Sequence, residues 1–199
     1  TVRYEFLFVF SLSYFYMRIK LLLFNHYPML ILHNLAIYIT FARMETKEER
    51  YKMLCSQIGE LIAGEHNEMG VLANVSAAMY EAFADRYFWV GFYLVRDGEL
   101  QLGPFQGPVA CYRIKRGRGV CGTAWEKAQT VIVPDVEQFP GHIACSSQSR
   151  SEIVVPMFNR QAEVCGVLDI DSTDTDAFDA VDGLYLEQLA RIVAESLYG

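Results

Sequence analysis

Tyr87–Phe105 reads YFWVGFYLVRDGELQLGPF. Tyr87–Val95 is aromatic or β-branched almost throughout and too short for a typical helix, so it reads as a strand. Arg96-Asp97-Gly98-Glu99 supplies a tight turn, because glycine takes the positive φ such a turn needs without steric cost. Leu100–Phe105 is the returning strand. Strands joined this closely must run antiparallel. A second pair, Glu152–Phe158 and Glu163–Ile170, is joined in the same way by Asn159-Arg160-Gln161.

Helical patterns flank the hairpins. Tyr51, Leu54, Cys55, Ile58, Leu61 and Ile62 recur at helical spacing up to a stop at Gly64. Asn67 is a fair N-cap for a second helix with Val71, Leu72, Val75, Met79 and Phe83 on one face. Asp179 and Asp182 stand at capping-box spacing before a last helix that runs to Tyr198. Between the hairpins, Gly119–Lys127 suits a short helix and Thr130–Val133 a short strand. Asp135–Ser149 has no periodicity and reads as a long functional loop. The expected fold class is α+β, one antiparallel sheet with helices packed on it.

The 199 residues carry a formal net charge of −7, which argues against a nucleic-acid partner. Five cysteines without a CxxC pair argue against a secreted disulfide framework and a standard zinc site. A reducing, cytoplasmic setting fits best.

Residues 1–43 differ in kind. They lack Gly, Asp, Gln, Cys and Trp and are crowded with Phe, Leu, Ile and Tyr. Leu21–Phe41 has the length of a membrane span. Asn25, His26, Pro28, His33 and Asn34 interrupt it with groups that lipid cannot satisfy. The expectation is a non-native or disordered extension, with Met44 as the true start, no membrane contact, and a working domain over 44–199.

Three cysteines sit in small-residue company within Gly107–Ile153: Cys111, Cys121 and Cys145. Cys145 is the best nucleophile candidate, in a polar loop with His142 three residues before it, where an imidazolium could stabilise a thiolate. A thiol oxidised to sulfenic acid needs a second thiol to rescue it as a disulfide. Cys111 and Cys121 both qualify. The spacings match no compact metal knuckle, so no metal or other cofactor is expected. Cys55 and Cys165 lie in apolar patterns and read as packed. The basic run Arg113, Lys115, Arg116 and Arg118 reads as a solvated strand edge or turn.

Asp169 and Asp171 are two apart in a strand and so share a face. Glu152 opens the preceding strand. Three carboxylates at one end of a hairpin would attract an ammonium group, or hold a proton through like-charge repulsion.

Residues 44–199 resemble the GAF-domain free methionine-(R)-sulfoxide reductases. The carrying stretches are Trp89–Tyr93, Gly107–Cys111, Gly117–Gly122, Pro140–Cys145, Ser151–Pro156 and Gly166–Ser172. The three-cysteine set is the specific part, since ordinary GAF sensor domains lack it. The resemblance implies a GAF-like antiparallel sheet. It implies that Cys145 attacks the sulfoxide of free methionine-(R)-sulfoxide and becomes a sulfenic acid. Cys111 then resolves it as a disulfide, with Cys121 as alternative or auxiliary, and thioredoxin reduces that disulfide. It implies that Glu152, Asp169 and Asp171 form the polar pocket, that Trp89 and Tyr93 form its apolar wall, and that the protein is a homodimer. The rival reading is a GAF sensor that binds a small ligand or senses redox state without turnover.

Overall fold

The computed structural model describes residues 46–143 and 145–199. The expectations for residues 1–43 and for a start at Met44 lie outside them.

Helix α1 (Lys47–Leu61) begins at a capping box. The Glu49 N–H donates to the Thr46 hydroxyl, and the Thr46 N–H donates to the Glu49 carboxylate. Tyr51, Leu54, Cys55, Ile58 and Ile62 are buried as the stripe predicts. Leu61 is not: it is 49% exposed, at the margin of the stripe in the last turn. Helix α2 (Glu68–Ala82) is capped by Asn67, whose side chain accepts from the Gly70 N–H, and it buries Val71, Leu72, Val75 and Met79.

Six strands follow: β1 (Trp89–Arg96), β2 (Glu99–Gln106), β3 (Arg113–Ile114), β4 (Val131–Val133), β5 (Ser151–Phe158) and β6 (Val164–Ser172). They form one sheet in the order β3-β2-β1-β6-β5-β4, with every pairing antiparallel. The first turn is the expected one, with Asp97 and Gly98 both at positive φ. In the second, the Asn159 side chain accepts from the N–H groups of Gln161 and Glu163, and the returning strand starts at Val164. The two hairpins join through β1 and β6, where Trp89 pairs with Asp171 and Gly91 with Asp169.

Both faces of the sheet are covered, which explains why the central strands read as near-continuous apolar runs. On one face Val90, Phe92, Leu94, Ile153, Val155, Leu168 and Ile170 pack against α1, α2 and α4 (Ala180–Tyr198). On the other, Trp89, Tyr93, Val154 and Val167 pack under α3 (Gly119–Lys127) and the cysteine-bearing segment. That second layer holds the site. The expected loop Asp135–Ser149 contains a 3-10 turn, Val136–Gln138, which anchors Val136 in this layer.

The start of α4 is tied to the rest by a buried carboxylate. Asp179 and Asp182 form the predicted capping box. Asp182 is fully buried, and it also accepts from the Tyr51 hydroxyl at 2.7 Å, Arg86 Nη1 at 3.0 Å and Lys47 Nζ at 2.8 Å. Among the described residues, no helix is long and apolar enough to cross a membrane.

Candidate active site

Alternation along three adjacent strands builds the site. In β1 the odd residues Trp89, Gly91 and Tyr93 share one face; in β6 Val167, Asp169 and Asp171 do; in β5 Glu152 and Val154 do. Register brings them together, because Asp171 pairs with Trp89 on one side and Glu152 on the other. A small cavity above this patch is lined by Trp89, Tyr93, Cys121, Cys145, Glu152, Asp169 and Asp171. Seven of the eight residues singled out from sequence therefore meet at one place, and the eighth, Cys111, is joined to Cys145.

Cys111 and Cys145 form a disulfide, with Cα atoms 5.4 Å apart and a separation of 34 positions in sequence. Both are half-buried. Of the two partners left open by the residue reading, Cys111 holds the bond. Cys121 stays free and buried in the first turn of α3, and its thiol lies 3.9 Å from Glu152 Oε1. Burial pushes the Cys121 thiol well up, and the charges of Asp169 and Glu152 push it further. It is a protonated thiol packed on carboxylates, unlike the open loop thiol its small neighbours suggest.

The carboxylates are desolvated together. Burial raises Glu152 well above the usual carboxylate range, and Asp169 and Asp171 add to it by repulsion. Asp169 is raised well above its range by burial and then by Asp171. Asp171 is pushed up to about 6 by burial, with Ser149 pulling the other way. The cluster therefore keeps at least one proton at neutral pH. Asp169 is 6% exposed, and its Oδ1 has no hydrogen-bond partner among the described residues. A buried acceptor without a donor is costly, and a ligand that donates there recovers the cost.

His142 departs from its expected role. Its Nε2 lies 3.9 Å from Glu152 Oε2, and burial lowers its pKa, which disfavours the imidazolium. Its position three residues before Cys145 could not reveal that it faces the carboxylates. The basic run divides: Arg113 pairs with Glu99 and Arg116 lies over the Trp125 ring, whereas Arg118, at the N-cap of α3, lines the cavity. Cys55 is buried as expected, and Cys165 is half-buried against the helical core.

The GAF domain family matches residues 70–197. GAF domain-containing protein A of Dictyostelium discoideum is 56% identical over 149 residues, covering 74% of this chain and 92% of that protein. The free methionine-R-sulfoxide reductase of Escherichia coli is 48% identical over 143 residues, covering 72% and 86%. The X-ray structure of free methionine-R-sulfoxide reductase from Neisseria meningitidis, in complex with its substrate, aligns with a TM-score of 0.73 and 51% identity, over 76% of this chain and 90% of that one. The chain belongs to the GAF-domain family of free methionine-R-sulfoxide reductases.

As a free methionine-R-sulfoxide reductase it is an oxidoreductase, and two features of its apolar wall could not be read from the strand pattern. Trp89 is held flat between neighbours: its ring stacks on Phe105 at 5.2 Å and on Tyr93 at 6.0 Å, and its Nε1 donates to the Pro108 carbonyl at 3.1 Å. Gly91 makes this possible. A Cβ there would lie 2.3 Å from Phe105 Cβ and 2.8 Å from the Trp89 ring. Gly91→Ala is expected to cost about 1–3 kcal/mol by overpacking and to displace the indole. Since misplacing a positioning group by about 1 Å can cost about a hundredfold in rate, kcat/KM should fall by about 10- to 100-fold in a protein that still folds. Thermal melting and steady-state kinetics on the same preparation check both.

Proposed function

We propose that this protein reduces free L-methionine (R)-S-oxide to methionine, using Cys145 as the nucleophile, Cys111 as the resolving thiol and thioredoxin as the reductant. The observation that carries the reading is Cys145, bonded to Cys111 and lining the same cavity as the carboxylates of Glu152, Asp169 and Asp171.

The steps balance. The Cys145 thiolate attacks the sulfoxide sulfur, and oxygen is transferred to Cys145 as a sulfenic acid while methionine leaves. The Cys111 thiol then attacks that sulfenic acid, expelling water and forming the disulfide. The two thiols of reduced thioredoxin restore both cysteines and become a disulfide in turn. The sulfoxide oxygen needs a proton as its bond to sulfur breaks. Glu152, raised well above the usual carboxylate range by burial and then by Asp169 and Asp171, is the general acid. Asp171, pushed up to about 6 and so ionised at neutral pH, holds the substrate ammonium with Asp169, and Trp89 and Tyr93 face the methyl group. Peptide-bound methionine sulfoxide lacks that ammonium and would leave the carboxylates unpaired, which is the basis of selection for the free amino acid. A homodimer in the reducing cytoplasm completes the reading, supported by the family resemblance and by the pattern of the cysteines.

Thioredoxin-coupled NADPH oxidation with each free epimer tests the proposal. Turnover with the R epimer alone is expected; no turnover with it overturns the reading. The pH dependence has a definite sign. Asp171, pushed up to about 6, is ionised above that value. As pH falls through about 6 it takes up a proton and loses its hold on the ammonium, so KM should rise on the acid side while kcat changes less. In Asp171→Asn this acid limb of kcat/KM should disappear and KM should be high at every pH.

A further inference from the structure

Cys121 is left without a task by the reaction just described. It is buried and stays outside the disulfide, so it neither attacks nor resolves in that scheme. Its surroundings suit something else. Cys121 from α3, Glu152 from β5 and Asp169 from β6 each offer one ligand atom, and the three atoms lie within 4.8 Å of one another. All three residues are at least nine-tenths buried, and Asp169 Oδ1 has no partner among the described residues. A sulfur donor beside two carboxylates, one with an unpartnered oxygen, is a mixed donor set that a soft divalent cation binds through sulfur and oxygen together.

We propose that Cys121, Glu152 and Asp169 form a site for a thiophilic divalent cation of the zinc class, which occupies the cavity in competition with the substrate. The competition rests on the function proposed above; the cation site does not. With bonds of about 2.3 Å to sulfur and about 2.0–2.2 Å to oxygen, the ligand atoms need to stand roughly 3.5–4 Å apart. Cys121 and Glu152 already stand at 3.9 Å, and a side-chain rotation of Asp169 closes the remainder. Binding releases protons from Cys121 and the carboxyl groups to solvent, so affinity rises with pH, and no electron is transferred. Spacing along the chain gave no hint of this site, because its ligands come from three separate elements.

The test uses the full chain in its disulfide form, in which Cys111 and Cys145 are unavailable as ligands, and cadmium ion as the probe. One equivalent should develop a thiolate-to-metal charge-transfer band in the ultraviolet. Cys121→Ser should lose the band, and Asp169→Asn, which keeps the thiol, should retain it with affinity weakened by about 10- to 100-fold. Free methionine sulfoxide should raise the apparent Kd for cadmium in the wild-type protein. No band in the wild type, or an equal band in Cys121→Ser that places the ion on Cys55 or Cys165, overturns the site. Cadmium binding by the disulfide form that the R epimer leaves unchanged, together with no turnover of that epimer by the enzyme supplied with reduced thioredoxin, keeps the site and overturns the proposed reaction instead.

Discussion

Replacing Cys145 with serine should abolish reduction of free methionine-(R)-sulfoxide, by at least about ten-thousand-fold in kcat, the scale on which removal of a covalent nucleophile acts. A serine hydroxyl is almost entirely protonated at neutral pH and cannot take the oxygen as a sulfenic acid does. The companion variants separate the roles. Cys111→Ser should release about one equivalent of methionine in a single turnover and then stall with a trappable sulfenic acid at Cys145. Cys121→Ser should continue to turn over with thioredoxin, because the disulfide forms between Cys111 and Cys145 without it. Quenched-flow methionine assays with mass mapping of the cysteines read all three. A Cys121→Ser enzyme that stalls after one turnover would return Cys121 to the role of resolver. Loss of activity in Cys111→Ser before any methionine appears would place Cys111 in binding or attack.

Asp182→Ala should destabilise the domain by about 2–4 kcal/mol, since it leaves the half-buried Arg86 guanidinium and the buried Tyr51 hydroxyl without their carboxylate, while Lys47 keeps Asp179. The melting temperature of a domain this size should drop by roughly 10 °C. Burial alone would raise the Asp182 pKa; hydrogen bonds from Arg86, Lys47, the Asp179 backbone and Tyr51 outweigh it and hold the carboxyl down at about 2. A depressed carboxylate stabilises the fold wherever it is ionised in both states. The contribution is therefore complete above the unfolded value near 4 and is lost as pH falls from there through about 2. Its size is roughly 2–3 kcal/mol, because each tenfold difference in acidity between folded and unfolded chain is worth about 1.4 kcal/mol. Denaturant unfolding between about pH 2 and pH 6 should show wild-type stability falling in that window more steeply than that of Asp182→Asn. Parallel curves would mean that the network contributes nothing to folding.

Asp182 also marks where sequence reading ends. Its spacing from Asp179 identifies a capping box, because a cap is made within four consecutive residues. That the same carboxylate receives Tyr51, Arg86 and Lys47 depends on how α1 and the entry to β1 pack on α4, and no local pattern carries that. Leu61 shows the same limit from the other side: helical spacing put it on the apolar stripe, and packing left it exposed.

By itself the sequence determined the two hairpins, the flanking helices, the α+β class and the shared face of Asp169 and Asp171. These follow from side-chain alternation, turn chemistry and motif flanks, which act over a few residues. Only the tertiary structure decided the rest. Pairing of β1 with β6 set Asp171 between Trp89 and Glu152, and the fold of the Gly107–Ile153 segment gave the disulfide to Cys111. The helix carrying Cys121 laid that thiol on the carboxylates. Each of these is a contact between residues tens of positions apart, set by strand register and by what the second layer of the sheet could bury, and none is written in the spacing of a motif.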